Sequence, residues 1–325
     1  MPTSKPRVLA TRHFPEDVEA RLAANFDAKL NLEDKLYDGP GLAKAAEGFD
    51  GIMCAAGDPL NAETIGKLPP SVKMIATFSV GYEHVDVAAA ARRNIKVSNT
   101  PDVLTDATAD IAMLCMLGAA RRAHEGTTML RTHSWVGWEP RQLMGVQVTG
   151  KRLGILGMGR IGQALAERAR AFRMTIHYSN RTRLPPELEK GAIFHANPDD
   201  MLAHCDFLSI NAPMTAATRK WVNAERIARL PKGAIVVNTA RGGVVDDEAL
   251  IAALKSGHLF AAGIDVFDGE PRIHQGYYGL ENAFLLPHMG SATVETRNAM
   301  GFRALDNLEA YLLRKQTPPD LVKAS

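Results

Sequence analysis

The stretch KRLGILGMGRIGQALAERARAF, residues 151–172, decides the fold. A basic start runs into an apolar strand, then Gly157-Met158-Gly159-Arg160-Ile161-Gly162, then an amphipathic helix. A second apolar run, MTIHYS at residues 174–179, follows at the spacing of a βαβ unit. The glycine pattern alone is a weak signal. With a strand before it and a helix and strand after it, the pattern is a dinucleotide-binding fingerprint. Gly157 permits the tight turn, Gly159 lets the backbone approach a pyrophosphate, and Gly162 lets helix and strand pack closely. The helix N-terminus then offers unpaired N–H groups and the positive end of its dipole to phosphates. Met158, Arg160 and Ile161 lie in the same turn and join the candidate contacts.

The end of the second strand says which dinucleotide. About 20 residues after the glycines, this fold ordinarily carries an acid for the ribose 2′-hydroxyl. Here the stretch is HYSNRTR, residues 177–183, and has none. A carboxylate would repel a 2′-phosphate, whereas an arginine pairs with it. The expectation is NADP, used as NADPH, with Arg181 as the phosphate clamp and Asn180 as a polar contact. Arg183 either shares that work or faces water.

Outward from the fingerprint, short apolar runs alternate with helical patterns on both sides. RVLAT, GIMCAA and KMIATFS are strand candidates in the first hundred residues, with helices between them. DFLSINAP, GAIVVNTA, HLFAAGIDVF and NAFLLPH continue the series after residue 151. This alternation predicts an α/β chain with doubly wound parallel sheets. A long helix is predicted in TPDVLTDATADIAMLCMLGAARRA and another in the C-terminal GSATVETRNAMGFRALDNLEAYLLRK. Residues 124–149 break the rhythm and carry two of the three tryptophans, so they read as an arm. An interface role and a surface aromatic cluster both remain open there. The last residues, QTPPDLVKAS, read as a mobile terminus.

Composition excludes several classes. At 325 residues with 46% hydrophobic and 23% charged content, the chain can form two cores. A net charge of +2 gives no electrostatic footprint for nucleic acid or an anionic membrane. No apolar run is long enough to cross a bilayer and no signal-peptide core opens the chain. The three cysteines are widely spaced in apolar contexts, as expected of buried thiols in the cytoplasm. No H-E-x-x-H or paired-cysteine spacing points to a metal.

Ligands of open α/β sheets bind beyond the carboxyl ends of strands. Arg241 follows GAIVVNTA, Glu270 follows AAGIDVF, and His288 follows AFLLP. Each alone is unremarkable; together they bring a guanidinium, a carboxylate and an imidazole to one edge. Hydride delivered to a ketone leaves an alkoxide that must be protonated, and histidine can donate that proton. A carboxylate orients the ring, and an arginine holds a substrate carboxylate beside a polarised carbonyl. The set points to reduction of a 2-oxo acid. Asp265, inside an apolar run, needs hydrogen-bond partners if buried.

GMGRIG, VNTARGGVVDDEAL, GIDVFDGEP and LLPHMGSAT occur in an order and spacing that resemble the D-isomer-specific 2-hydroxyacid dehydrogenase family. SVGYEHVD, LTDATAD, WVGWEP and SNRTR resemble its glyoxylate/hydroxypyruvate reductase branch. The resemblance covers nearly the whole chain. It implies a Rossmann cofactor domain, residues 103–291, inserted into a flavodoxin-like substrate domain formed by residues 1–102 and the closing helix at 292–325. It implies that Arg241 binds substrate, that His288 is the acid/base and that Glu270 supports it. By the same likeness, Val80 and Gly81 offer backbone N–H groups to the substrate carboxylate. Thr108, Thr239, Ala240 and Asp265 lie near the cofactor, and the cofactor set extends to Thr182, Ala212, Pro213, Thr218 and Gly290. The arm with Trp138 resembles a dimerisation arm whose tryptophan can reach the partner's substrate pocket, so a homodimer is expected.

The expected activity is NADPH-dependent reduction of glyoxylate and hydroxypyruvate. Other NADP-linked 2-oxo acid reductases, for example of 2-ketogluconate, are close rivals. A phosphoglycerate dehydrogenase is disfavoured because no regulatory domain follows the closing helix. A non-enzymatic sensor resembling the C-terminal-binding-protein corepressors lacks the extensions that would recruit partners.

Overall fold

The computed structural model describes residues 5–323. The chain divides into two compact units, Met1–Leu104 with Ser291–Ser325, and Thr105–Gly290. Each is a layered α/β unit built on one parallel sheet.

The first unit contains β1 (Arg7–Ala10), β2 (Asp27–Lys29), β3 (Gly51–Cys54), β4 (Met74–Thr77) and β5 (Lys96–Ser98). Their order is β2-β1-β3-β4-β5, the flavodoxin arrangement. Successive side chains alternate between faces, and both faces are covered, which is why the inner strands β3 and β4 are buried throughout. Leu9, Ile52, Ile75 and Val97 pack on one face with Leu42 and Ile65. Val8, Met53, Met74 and Ala76 pack on the other with Val18, Leu22, Leu305 and Leu308. Each fully buried leucine or isoleucine contributes about 1.5–3 kcal/mol. Helices begin where the sequence supplies acceptors. Asn61 accepts from the Thr64 N–H and Asp86 from the Ala89 N–H.

The C-terminal helix Val294–Leu308 continues as a π-helical turn, Glu309–Leu313. The segment beyond it corrects the expectation of a mobile terminus as far as residue 323. The Val322 N–H donates to the Val97 carbonyl at 2.8 Å, and Leu321 bridges Ser98 antiparallel. Asp320 takes both arms of the Arg303 guanidinium at 2.6 and 2.7 Å, plus the Asn307 amide at 2.8 Å. The tail therefore closes the β5 edge of the sheet. Residues 324 and 325 lie outside the described residues.

The second unit contains β6 (Arg152–Leu156), β7 (Thr175–Ser179), β8 (Ile193–Phe194), β9 (Phe207–Ile210), β10 (Ala234–Asn238), β11 (Leu259–Ile264) and β12 (Ala283–Leu285). They form one parallel sheet, ordered β12-β11-β10-β9-β6-β7-β8. The chain winds one way from β6 and the other way from β9. A crevice therefore opens beyond their adjoining carboxyl ends. Helix Thr105–Ala120 is buried along most of its length by Ala112, Cys115, Met116 and Ala119. Helix Ala123–Arg131 follows and starts the segment expected to be an arm; from Thr132 to the start of β6 there is no further helix or strand. Among the described residues no helix is long and apolar enough to cross a membrane.

Candidate active site

The fingerprint turn sits at the end of β6. Gly157 has a φ of +92°, which L side chains rarely adopt, and a Cβ there would lie 2.7 Å from the Ala212 nitrogen. Glycine is thus required for the turn to pack against the backbone after β9. Beside Gly159, by contrast, a Cβ would meet nothing within 4 Å. That open space lies at the N-terminus of helix Arg160–Ala171, whose first N–H groups have no intrahelical acceptor. Two buried atoms at neighbouring strand ends, Asn211 Oδ1 after β9 and Thr239 Oγ1 after β10, have no hydrogen-bond partner among the described residues. Buried polar atoms are ordinarily bonded, so these await a ligand group. An open phosphate cradle and two unpartnered polar atoms along one edge fit a dinucleotide.

The stretch after β7 divides into parts with different work. Asn180 accepts the Met158 N–H at 2.6 Å through Oδ1 and reaches the Met158 carbonyl at 3.4 Å through Nδ2. Its side chain braces the glycine turn. Arg183 pairs with Glu189 through two bonds of 2.8 and 3.0 Å, and Glu189 also accepts the Tyr178 hydroxyl at 2.6 Å. Arg181 is exposed and makes no hydrogen bond or ion pair among the described residues. Arg183 thus has an internal partner, while Arg181 has none among the described residues. Thr182 is exposed beside it. Thr218 holds its own loop, accepting the Thr215 N–H and donating to the Pro213 carbonyl, both at 2.7 Å.

Arg241, Glu270 and His288 follow β10, β11 and β12, three adjacent strands of the sheet. Asn238 closes the Arg241 turn, accepting the Ala240 N–H at 3.1 Å and donating to the Arg241 carbonyl at 3.0 Å. Gly242 then lies against the Phe267–Asp268 backbone so closely that any Cβ would collide with it. This contact brings the arginine turn against the segment carrying Glu270. Glu270 accepts the Phe267 N–H at 2.6 Å through Oε1, and its Oε2 lies 2.7 Å from His288 Nδ1. Burial pushes the Glu270 carboxyl up, but the His288 ring, the Phe267 N–H and Arg241 outweigh it and hold the group below its usual range. An ionised Glu270 can only accept, so Nδ1 carries a proton. Nε2 makes no hydrogen bond among the described residues, and the His288 side chain is 49% exposed.

The turn that presents His288 is anchored from below. His288 has a φ of +54°, a left-handed conformation that costs a non-glycine residue free energy and needs fixed neighbours. Asp265, fully buried, supplies them. Its Oδ1 accepts the Met289 N–H at 2.6 Å and its Oδ2 accepts the Gly290 N–H at 2.8 Å. Thr108 donates to the Gly290 carbonyl at 3.1 Å. Burial holds the Asp265 carboxyl above its usual range, against the pull of those amides and of His288. Asp265, expected to need hydrogen-bond partners if buried, finds them in the Met289 and Gly290 amides of the neighbouring loop, the one that carries His288. A carboxylate inside an apolar strand end was the available signal, because it must find donors nearby.

Val80 and Gly81 belong to the other unit, in the turn after β4, and are half-buried. Trp138 is 78% exposed, in a segment where Leu130, Trp135, Val136 and Met144 are also exposed.

Comparison with known proteins gives a consistent set of likenesses. The family described as D-isomer specific 2-hydroxyacid dehydrogenase, NAD binding domain, matches residues 113–290. Glycerate dehydrogenase of Hyphomicrobium methylovorum is 44% identical over 309 residues, 94% of this chain and 96% of that protein. Glyoxylate reductase of Thermococcus kodakarensis is 40% identical over 323 residues, covering 98% and 96%. The crystal structure of an NADPH-dependent glyoxylate/hydroxypyruvate reductase from Sinorhizobium meliloti, in complex with NADP and malonate, superposes with a TM-score of 0.85. It is 33% identical, covering 99% of this chain and 100% of that one.

Proposed function

The chain belongs to the D-isomer specific 2-hydroxyacid dehydrogenase family, and on that premise we propose that it reduces the small 2-oxo acids glyoxylate and hydroxypyruvate with NADPH. The observation that carries the proposal is the bonded Glu270–His288 pair, which follows β11 and β12, with Arg241 following β10 on the other side of β11. When bound, the reduced nicotinamide supplies the hydride. Arg241 binds the substrate carboxylate and polarises the adjacent carbonyl. His288 donates a proton from Nε2 to the oxygen as charge develops on it. Glu270 holds the ring by Nδ1 and so fixes which nitrogen faces substrate. The Val80 and Gly81 amides contribute further to carboxylate binding. The names of the relatives, a glycerate dehydrogenase and glyoxylate reductases, support substrates of two or three carbons. The test is turnover of reduced dinucleotide across a panel of 2-oxo acids.

The choice of NADPH rests on Arg181 and on the missing acid after β7. A charge-assisted hydrogen bond contributes about 1.5–3 kcal/mol, roughly ten- to a hundredfold in affinity. Arg181→Asp is therefore expected to shift the kcat/KM ratio of NADPH to NADH toward NADH by at least about tenfold. Arg183→Ala, which breaks an internal pair with Glu189, is expected to leave that ratio in place and lower thermal stability instead. An unchanged ratio in Arg181→Asp would put the clamp elsewhere.

The exposed aromatic arm supports a homodimer. A segment carrying Trp135, Val136 and Trp138 at 50%, 91% and 78% exposure is more apolar than a monomer surface ordinarily leaves open. A second copy of the chain covers it in this reading. Sedimentation equilibrium should give twice the chain mass, and a monomer at assay concentration would contradict it.

A further inference from the structure

We propose that Asn99 and the chain His84–Thr77–Ser79 are positioning residues, which clamp the carbonyls of the loop at residues 79–81 and thereby aim its amides at an anion. The inference rests on the reading of Val80 and Gly81 as substrate contacts. Three successive carbonyls of this loop are each held. The Ser79 carbonyl accepts the Thr100 N–H at 2.9 Å. The Val80 carbonyl accepts the Asn99 side-chain amide at 2.8 Å. The Gly81 carbonyl accepts the Ser79 hydroxyl at 2.7 Å. In a trans peptide the N–H points opposite to the C=O of the preceding residue. Fixing those three carbonyls therefore fixes the N–H groups of Val80, Gly81 and Tyr82 on the other side. None of these three N–H groups has a protein acceptor among the described residues. Three consecutive N–H groups without a protein acceptor are donors available to an anion.

The direction of the chain follows from its last link. A carbonyl can only accept, so Ser79 must donate its one hydroxyl proton to Gly81. Ser79 must then accept from Thr77, 2.7 Å away. Thr77 in turn must accept from His84 Nε2, 2.9 Å away. His84 is thus an Nε2–H donor, and its ring is tied through two hydroxyls to the backbone of the loop. Thr77, the middle member, is fully buried at the end of β4. Asn99 reaches the loop from just beyond β5, the neighbouring strand.

Thr77→Val keeps the shape and removes the relay, while Thr77→Ser keeps the hydroxyl. Loss of one positioning hydrogen bond is expected to raise KM for the 2-oxo acid about tenfold in Thr77→Val and Asn99→Ala. The expected kcat stays within about twofold, as for lost binding common to ground and transition states. Thr77→Ser should restore the wild-type KM, and dinucleotide affinity should not move in any variant. Equal KM values in Thr77→Val and the wild type, or a Thr77→Ser variant as impaired as Thr77→Val, would overturn the clamp. Calorimetric binding of oxamate, a 2-oxo acid mimic, to the dinucleotide-loaded protein separates this proposal from the functional one. A wild type that turns over no 2-oxo acid yet binds oxamate more tightly than Thr77→Val keeps the clamp and sinks the reductase. Equal oxamate binding in the two, or none in either, overturns the clamp whatever the turnover.

Discussion

His288→Ala is expected to lose about a hundred- to ten-thousandfold in kcat, the range for removing a positioned general acid, while dinucleotide affinity stays at its wild-type value. The reason is local. The imidazole is held at Nδ1 by Glu270 at 2.7 Å, and its backbone is locked by Asp265 through the Met289 and Gly290 amides. Water could still protonate an alkoxide, but without a fixed position or a matched acidity, so turnover falls without vanishing. Glu270→Gln is expected to be milder. The amide can still meet Nδ1, though it can do so as donor or acceptor and no longer fixes the proton there. Steady-state kinetics with fluorescence titration of the dinucleotide separates the two effects. A His288→Ala enzyme with undiminished kcat would show that another group delivers the proton.

Arg241→Ala carries the second large effect. A guanidinium offers a carboxylate two parallel charge-assisted bonds, each contributing about 1.5–3 kcal/mol. Their joint loss is expected to lower kcat/KM by about a hundred- to ten-thousandfold. Part of this should fall on kcat, because in the proposed reaction the same group polarises the carbonyl. Arg241→Lys should recover only a fraction, since an ammonium cannot reproduce the planar fork. Its placement also depends on Asn238 and on the close approach of Gly242 to residues 267–268, so Gly242→Ala should resemble Arg241→Ala in kinetics. An Arg241→Ala enzyme whose KM and kcat both stay within about twofold of wild type would remove this residue from the substrate site.

What repeats or concentrates along the chain is legible in the sequence. Gly157 and Gly159 stand between a strand and a helix in the structure, Gly162 lies in that helix's first turn, and Arg241, Glu270 and His288 follow three neighbouring strands. These were legible because each lies directly after a long apolar run, and the sheet brings such ends to one edge. The strands β2, β5 and β8 were not legible. They span three, three and two residues, two of them with Asp or Lys, and pairing with a neighbour rather than side-chain pattern makes them strands. The pinned tail was not legible either, because Asp320 finds Arg303 and Asn307 on a helix turn that only the fold brings near. Asn180 was read as a cofactor contact from its position. Its bond to the Met158 N–H depends on the curvature of the glycine turn, which no spacing rule states. Asp265 carried a readable hint in its apolar setting, but its partners, two amides more than twenty residues later, did not.

The central claim, that this site reduces a 2-oxo acid, is tested most directly by the loss of reduced-nicotinamide absorbance when purified protein meets NADPH or NADH with each member of a panel of 2-oxo acids. Turnover is expected with glyoxylate and hydroxypyruvate, with a higher kcat/KM for NADPH than for NADH. Absence of dinucleotide oxidation with every acid of the panel, by protein that binds the dinucleotide, would contradict it.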